Sequence, residues 1–363
     1  MKDEHPDKEG QRASRNGGSS KKVILVDVII PVHNAELTLR EAVESALNQT
    51  IPQHLLATFL DTKLILSVCC YDDGSTDNGW KLLKQLEEQH SQHVEVQSEY
   101  DTSAKISSNL FIQSSSDGIA RGAGFARNRA VEIRECMGDT NDATISSGEH
   151  FLCLLDSDDT MHPTRVAEQV SSMMSLSDDE RYRTLLGCKF DRDPPDSTWH
   201  YAKWANGLSD ERLMLERFRE VTVIQPTWFL CRSRWQKLGG YVEAPPSANN
   251  HDTSKQSSNR IYSSFLIHPD HDTPETIKLA DDLRFFHSHL HSGGLLRLHR
   301  SEKEIPLVTY RHSGSSQSFR TSRKLLLQLR VLAFELTVLR SDGLWQQHDG
   351  KFVVWGAGRD GKV

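Results

Sequence analysis

Short unbroken apolar runs and helically spaced stripes take turns along this chain. Residues 23–30, 64–70 and 151–155 are apolar without period-two alternation, the pattern of strands buried on both faces. After the first run, Leu37, Leu39, Ala42, Val43, Ala46 and Leu47 fall on or near one helical stripe. After the second, a helix is expected from Asn78 to about Glu88, with Asp77 as its cap. Strand, loop, helix, strand, loop, helix is the order of an open parallel or mixed α/β sheet. Residues 325–339 read as a strongly apolar helix that must pack on something. Three polar stretches interrupt the order, at about 98–118, 138–149 and 245–274, and read as surface insertions rich in Ser, Asp, Asn and Thr.

Composition narrows the class. A chain of 363 residues can bury one large α/β core or two modest ones. Residues 1–22 are polar and charged, so a disordered tail is expected, with no apolar stretch typical of a signal peptide. No run approaches the roughly 18 to 20 apolar residues of a membrane span. The six cysteines form no C-x-x-C pair, and Cys69 and Cys153 sit inside strand-like runs as small hydrophobes. The expectation is a reduced, soluble, cytoplasmic protein without membrane contact, unless the sequence lacks its true N-terminus. A net charge of −7 excludes a global pull toward nucleic acid or anionic lipid. Arg297, Arg300, Lys303, Arg311, Arg320, Arg323 and Lys324 leave two readings open: a basic C-terminal surface, or scattered solvated charges.

The candidate chemistry lies where strands end. The run 151–155 empties into Asp156-Ser157-Asp158-Asp159, and 64–70 is followed by Asp72-Asp73. Carboxylates this close repel unless a hard divalent ion such as Mg²⁺ or Mn²⁺ sits between them. The alternative is an acidic turn capping a helix that starts near Pro163, with Asp159 as N-cap. Loops at successive strand ends converge on one crevice. A loop holding Pro31-Val32-His33-Asn34, two acidic loops and a cation would make a site for a nucleoside diphosphate. The glycines of Gly122-Ala123-Gly124 lead into Arg127 and Arg129 and could approach a phosphate.

Four segments occur in one register: 28–36 (Val-Ile-Ile-Pro-Val-His-Asn-Ala-Glu), 72–77 (Asp-Asp-Gly-Ser-Thr-Asp), Ala126-Arg127-Asn128, and 155–159 (Leu-Asp-Ser-Asp-Asp). Together they closely resemble the GT-A, family 2 glycosyltransferases. Segments 188–198, 225–229 and 281–286 further resemble the β-1,3-N-acetylglucosaminyltransferase-like 1 proteins, also described as queuosine-tRNA galactosyltransferases. The likeness covers about residues 23–363, apart from the insertions.

What this implies is concrete. The fold would be a GT-A mixed sheet, Rossmann-like and flanked by helices, over 23–324, with a C-terminal helix and the start of a truncated α/β segment over 325–363. Pro31, His33 and Glu36 would border the nucleotide, Asp72 or Asp73 would bond the uracil, and Arg127 and Ser157 would belong to the nucleotide-sugar site. Asp156 would lie near ribose and metal, with Asp158 a direct ligand of Mn or Mg. Asp282 would be the catalytic base, its alternative being an N-cap to a helix beginning near Leu283. His312 stands one residue before the place of a late metal or diphosphate ligand, so a register shift would be needed to restore it. The implied activity is metal-dependent, inverting transfer from a UDP-sugar, with UDP-galactose and tRNA queuosine as leading donor and acceptor. Transfer of N-acetylglucosamine to a galactose-ended glycan and a non-catalytic nucleotide-sugar-binding protein are the rivals. A terminal strand and G-x-G-x-x-G at 352–361 suggest a dinucleotide site, but the sequence stops before a helix could present its N-terminus, and no NAD site is expected.

Overall fold

The parallel core of the sheet begins with β1 (Lys22–Val32), β2 (Thr62–Asp72), β3 (Ser107–Ser114) and β4 (Glu149–Leu154). A computed structural model describes residues 22–97, 106–136, 148–243, 266–267, 272–273, 275–300, 304–312, 321–340, 344–347 and 351. Helices α1 (Leu39–Leu47), α2 (Gly79–Gln97) and α3 (Ala123–Cys136) follow β1, β2 and β3. The register sets Val32 opposite Asp72 and Ile29 opposite Leu154, so the loops after β1, β2 and β4 leave the sheet along one edge.

Beyond β4 come β5 (Thr160–Met161), α4 (Arg165–Met174), α5 (Asp178–Arg183), β6 (Thr184–Cys188), β7 (Phe190–Asp193), α6 (Trp199–Asn206) and α7 (Asp210–Leu215). Then follow β8 (Phe229–Cys231), α8 (Arg232–Leu238), α9 (Asp281–His291), β9 (Leu295–His299), β10 (Val308–Arg311) and α10 (Arg323–Phe334). The seven-stranded sheet runs β3-β2-β1-β4-β8-β6-β9. In it β8 lies antiparallel to β4 and β6, while β9 is parallel to β6. A smaller sheet pairs β10 with β5 and β7, carrying the far end of the chain to the acidic loop after β4. The mixed α/β sheet flanked by helices is the expected architecture.

Burial explains the unbroken apolar runs. Val26, Val28, Ile30, Val68, Phe151 and Cys153 pack on one face with Leu39 and Val43 of α1 and Val166 and Val170 of α4. Their alternating neighbours Ile29, Cys69, Leu152 and Leu154 pack on the other with Ala126, Trp235, Phe286 and Leu329. Each strand residue thus meets helices whichever way it points.

Three expectations change. Residues 107–114 are not outside the sheet: they form its edge strand β3, whose polar positions fit a strand covered on one side only. Asp159 does not cap α4, which starts at Arg165 with Thr164 at the N-cap position. Helix α2 runs on to Gln97, well past Glu88, because no Gly or Pro intervenes to stop it. The tail 1–21, the terminal glycine motif and most of 138–149 and 245–274 lie outside the described residues. Among the described residues no helix is long and apolar enough to cross a membrane.

Candidate nucleotide and metal site

The loops after β1 and β2 are laced together by side chains. Asn34 adopts φ +51°, a left-handed conformation that Asn tolerates. Its backbone N–H donates to Ser75 Oγ at 2.9 Å, and its Oδ1 accepts from the Thr76 N–H at 2.8 Å. Glu36 accepts from Asn78 Nδ2 at 2.8 Å and from the Asn78 N–H at 3.2 Å. Asp77 accepts from the N–H groups of Glu36 and Gly79, both at 2.9 Å, which partners a free amide at the start of α2. His33 Nδ1 lies 3.0 Å from the Asp73 carbonyl oxygen, which can only accept, so Nδ1 carries the proton. Pro31 is buried within β1, opposite Tyr71.

Asp73 is partly spent on the fold. Its Oδ2 accepts from the Arg121 and Gly122 N–H groups at 2.8 and 2.6 Å, which seats the turn leading into α3. Burial still pushes its carboxyl above the usual range. One oxygen of each acid, Asp72 Oδ1 and Asp73 Oδ1, is buried without a hydrogen-bond partner. Unpaired buried acceptors are costly, and a ligand N–H would relieve them.

The second half of the site is made of charges from distant segments. Asp156, Asp158 and Asp159 offer oxygens that all lie within 4.8 Å of one another. Burial, then the neighbouring Asp156 charge, raises the Asp158 carboxyl to about 6. The same causes, with Asp158 added, hold Asp159 well above its ordinary value. Asp159 Oδ1 accepts from the Arg311 N–H at 2.8 Å, but its Oδ2 is buried and unpartnered. Hard oxygen donors, mutual repulsion and an orphaned buried oxygen fit a divalent cation.

Arg127 braces this cluster. Its two Nη atoms bond Asp156 Oδ1 at 2.5 Å and Asp281 Oδ2 at 2.7 Å. Burial opposes the guanidinium charge, yet Asp156 and Asp281 outweigh it and raise its pKa. Asp282, next on α9, sits in the helix's first turn after Ala280 at the N-cap position, not as an N-cap. Burial, then the Asp281 charge, raises its carboxyl to about 7, which suits a group that exchanges protons near neutrality.

Of the residues singled out in the sequence, Asp156 and Asp158 meet directly, Arg127 touches Asp156, and Asp282 adjoins Arg127's second partner. Ser157 contributes its carbonyl oxygen to Thr38 Oγ1, at 3.0 Å. His312 stands outside the carboxylate group. Its N–H donates to the Asp193 carbonyl at 2.8 Å, and its Nδ1 lies 3.4 Å from Arg192 Nη2. Sequence reasoning counted Asp159 in the acidic group without naming it a ligand, and missed Asp281 as the partner of Arg127, which only the fold reveals.

Residues 27–99 match the family model described as Glycosyl transferase family 2. That segment runs from within β1 through both laced loops to the end of α2. A stretch of 146 residues, 40% of this chain, is 33% identical to the chondroitin synthase of Escherichia coli and spans 15% of that protein. The structure is also similar to S. aureus TarS 1–349 in complex with UDP-GlcNAc, with TM-score 0.48 and 12% identity over 89% of this chain and 69% of that one. Against the same protein in complex with UDP the values are 0.43 and 15% over 88% and 68%. These structural likenesses are too distant to transfer the role of any residue.

Proposed function

We propose that the protein is a family 2 glycosyltransferase that transfers a sugar from a UDP-sugar with inversion. The observation carrying this is the group Asp156, Asp158 and Asp159, set at the end of β4 beside loops that match the family model. Pro31, His33, Glu36, Asp72 and Asp73 line the nucleotide side, with the free oxygens of Asp72 and Asp73 available to an N–H of the base. Asp158, with Asp156 and Asp159, would hold a divalent cation, which supplies positive charge to a departing diphosphate. Arg127 keeps Asp156 aimed at that position. Asp282 takes the proton of the acceptor hydroxyl as its oxygen bonds the anomeric carbon and the bond to UDP breaks. His312 contributes as a hydrogen-bond donor at the diphosphate side.

The finer reading is galactose from UDP-galactose to queuosine in tRNA, supported by the resemblance over 188–198, 225–229 and 281–286. N-acetylglucosamine transfer to a galactose-ended glycan rests on the same segments. On this reading, RNA phosphates would meet basic side chains not already paired with acids. Arg297 pairs with Glu180 at 2.9 Å, Arg300 lies 3.7 Å from Asp210, and Arg311 pairs with Glu41. Arg323 and Lys324, exposed at the start of α10, are the contacts this reading favours. Incubation with Mn²⁺, a panel of UDP-sugars and tRNA, read by UDP release and nucleoside mass spectrometry, tests it. A galactosylated nucleoside supports the finer reading; no UDP release with any donor rejects the enzyme.

A further inference from the structure

Arg192 on β7 is a buried cation with no carboxylate partner among the described residues. It is 7% exposed and makes no ion pair among the described residues. Its guanidinium lies 4.0 Å over the Tyr310 ring, its Nε donates to the Ser197 carbonyl at 3.2 Å, and its Nη2 faces His312 Nδ1 at 3.4 Å. Nη1 is buried with no hydrogen-bond partner. Every other contact fixes the plane of the guanidinium, and none neutralises it. A desolvated arginine is costly without an anion.

The surroundings say which anion. Arg192 stands opposite Tyr310 in the β7–β10 register, and the next residue of β10, Arg311, donates its N–H to Asp159 Oδ1 at 2.8 Å, so the guanidinium lies at the margin of the carboxylate group. An anion that meets Arg192 there can also share a cation with Asp158 and Asp159. A nucleotide's terminal phosphate has that chemistry. Because arginine only donates, Nδ1 of His312 is the acceptor in this contact.

We propose that Arg192 binds the β-phosphate of the nucleoside diphosphate through Nη1, so that β7 and β10 close the diphosphate side of the site. This rests on the UDP-sugar reading above. The test is calorimetric binding of UDP and UMP, with Mn²⁺, to the wild type, Arg192→Gln and Arg192→Lys. Loss of one charge-assisted bond should weaken UDP at least about tenfold in Arg192→Gln while UMP changes less than about twofold. Arg192→Lys keeps the charge and should fall between. If Arg192→Gln does not fold, the lysine variant decides: an unchanged ratio of UDP to UMP affinity overturns the proposal. Equal losses for both nucleotides, the mark of a merely structural role, overturn it too. Failure of the wild type to bind UDP would instead sink the functional reading beneath it.

Discussion

The two halves of the candidate site are built on opposite principles. On the nucleotide side, Asn34, Glu36, Asp77 and Asn78 satisfy one another across two loops, and the geometry is closed by neutral or shared hydrogen bonds. On the other side, Asp156, Asp158 and Asp159 crowd together, with the Asp158 and Asp159 carboxyls raised and one Asp159 oxygen orphaned, braced by Arg127 and the Arg311 amide. The loops of the first half are fixed before any ligand arrives, with one oxygen each of Asp72 and Asp73 left for it. The second is electrostatically incomplete. A binding site can thus be preorganised in shape at one end and poised for a cation at the other.

The largest effect should come from breaking the incomplete half. Asp158→Ala should lower turnover on the order of 10³-fold, the several kcal/mol that cation stabilisation of a leaving group typically supplies. The same change relieves repulsion, so the metal-free variant should melt no lower than the wild type. Asp282→Asn should follow, with kcat reduced about 10²- to 10⁴-fold while UDP binding persists. With its carboxyl raised to about 7, Asp282 is protonated below that pH, so kcat should fall as pH drops through 7. Stability has the opposite sign. The folded protein holds this proton more tightly than the unfolded chain does. Stability is therefore fully present below the ordinary carboxylate value of 3.8 and is lost as pH rises toward 7. Thermal melts of Asp282→Asn should lack that decline.

What the sequence disclosed follows the same division. The strands and both laced loops were legible because each is one local pattern: an apolar run, then Pro31-Val32-His33-Asn34 or Asp72-Asp73-Gly74-Ser75-Thr76-Asp77. The carboxylates after β4 were legible as well, but not their supports. Arg127 and Asp281 are 154 positions apart and meet only because α3 and α9 pack on one face of the sheet. Asp159 could be read as a helix cap as well as a member of the acidic group, since its partner, the Arg311 amide, arrives on β10 from 152 positions away. Strand β3 was hidden because an edge strand with polar outer positions resembles a loop. The basic cluster misled for a related reason: Glu180, Asp210 and Glu41, which pair with it, are distant in sequence.

Smaller effects probe the joints. Arg127→Leu leaves Asp156 and Asp281 without their shared cation, and breaking a buried pair costs about 3 to 5 kcal/mol. Urea midpoints should report it, with part of the loss recovered at low pH where both carboxyls are protonated. At the bottom of the scale, Asn34→Gly keeps the left-handed backbone and removes the side-chain bonds to Thr76 and His33. About 1 kcal/mol of stability and a few-fold rise in the donor KM are expected.

The central claim is that the carboxylate group after β4 binds nucleotide through a divalent cation. Calorimetric titration of UDP into the wild type, once with Mn²⁺ and once with EDTA, and the same pair with Asp158→Ala, addresses it. The account predicts that Mn²⁺ tightens UDP binding to the wild type at least about tenfold and leaves Asp158→Ala unchanged. Equal UDP affinity in Mn²⁺ and EDTA for the wild type would contradict it.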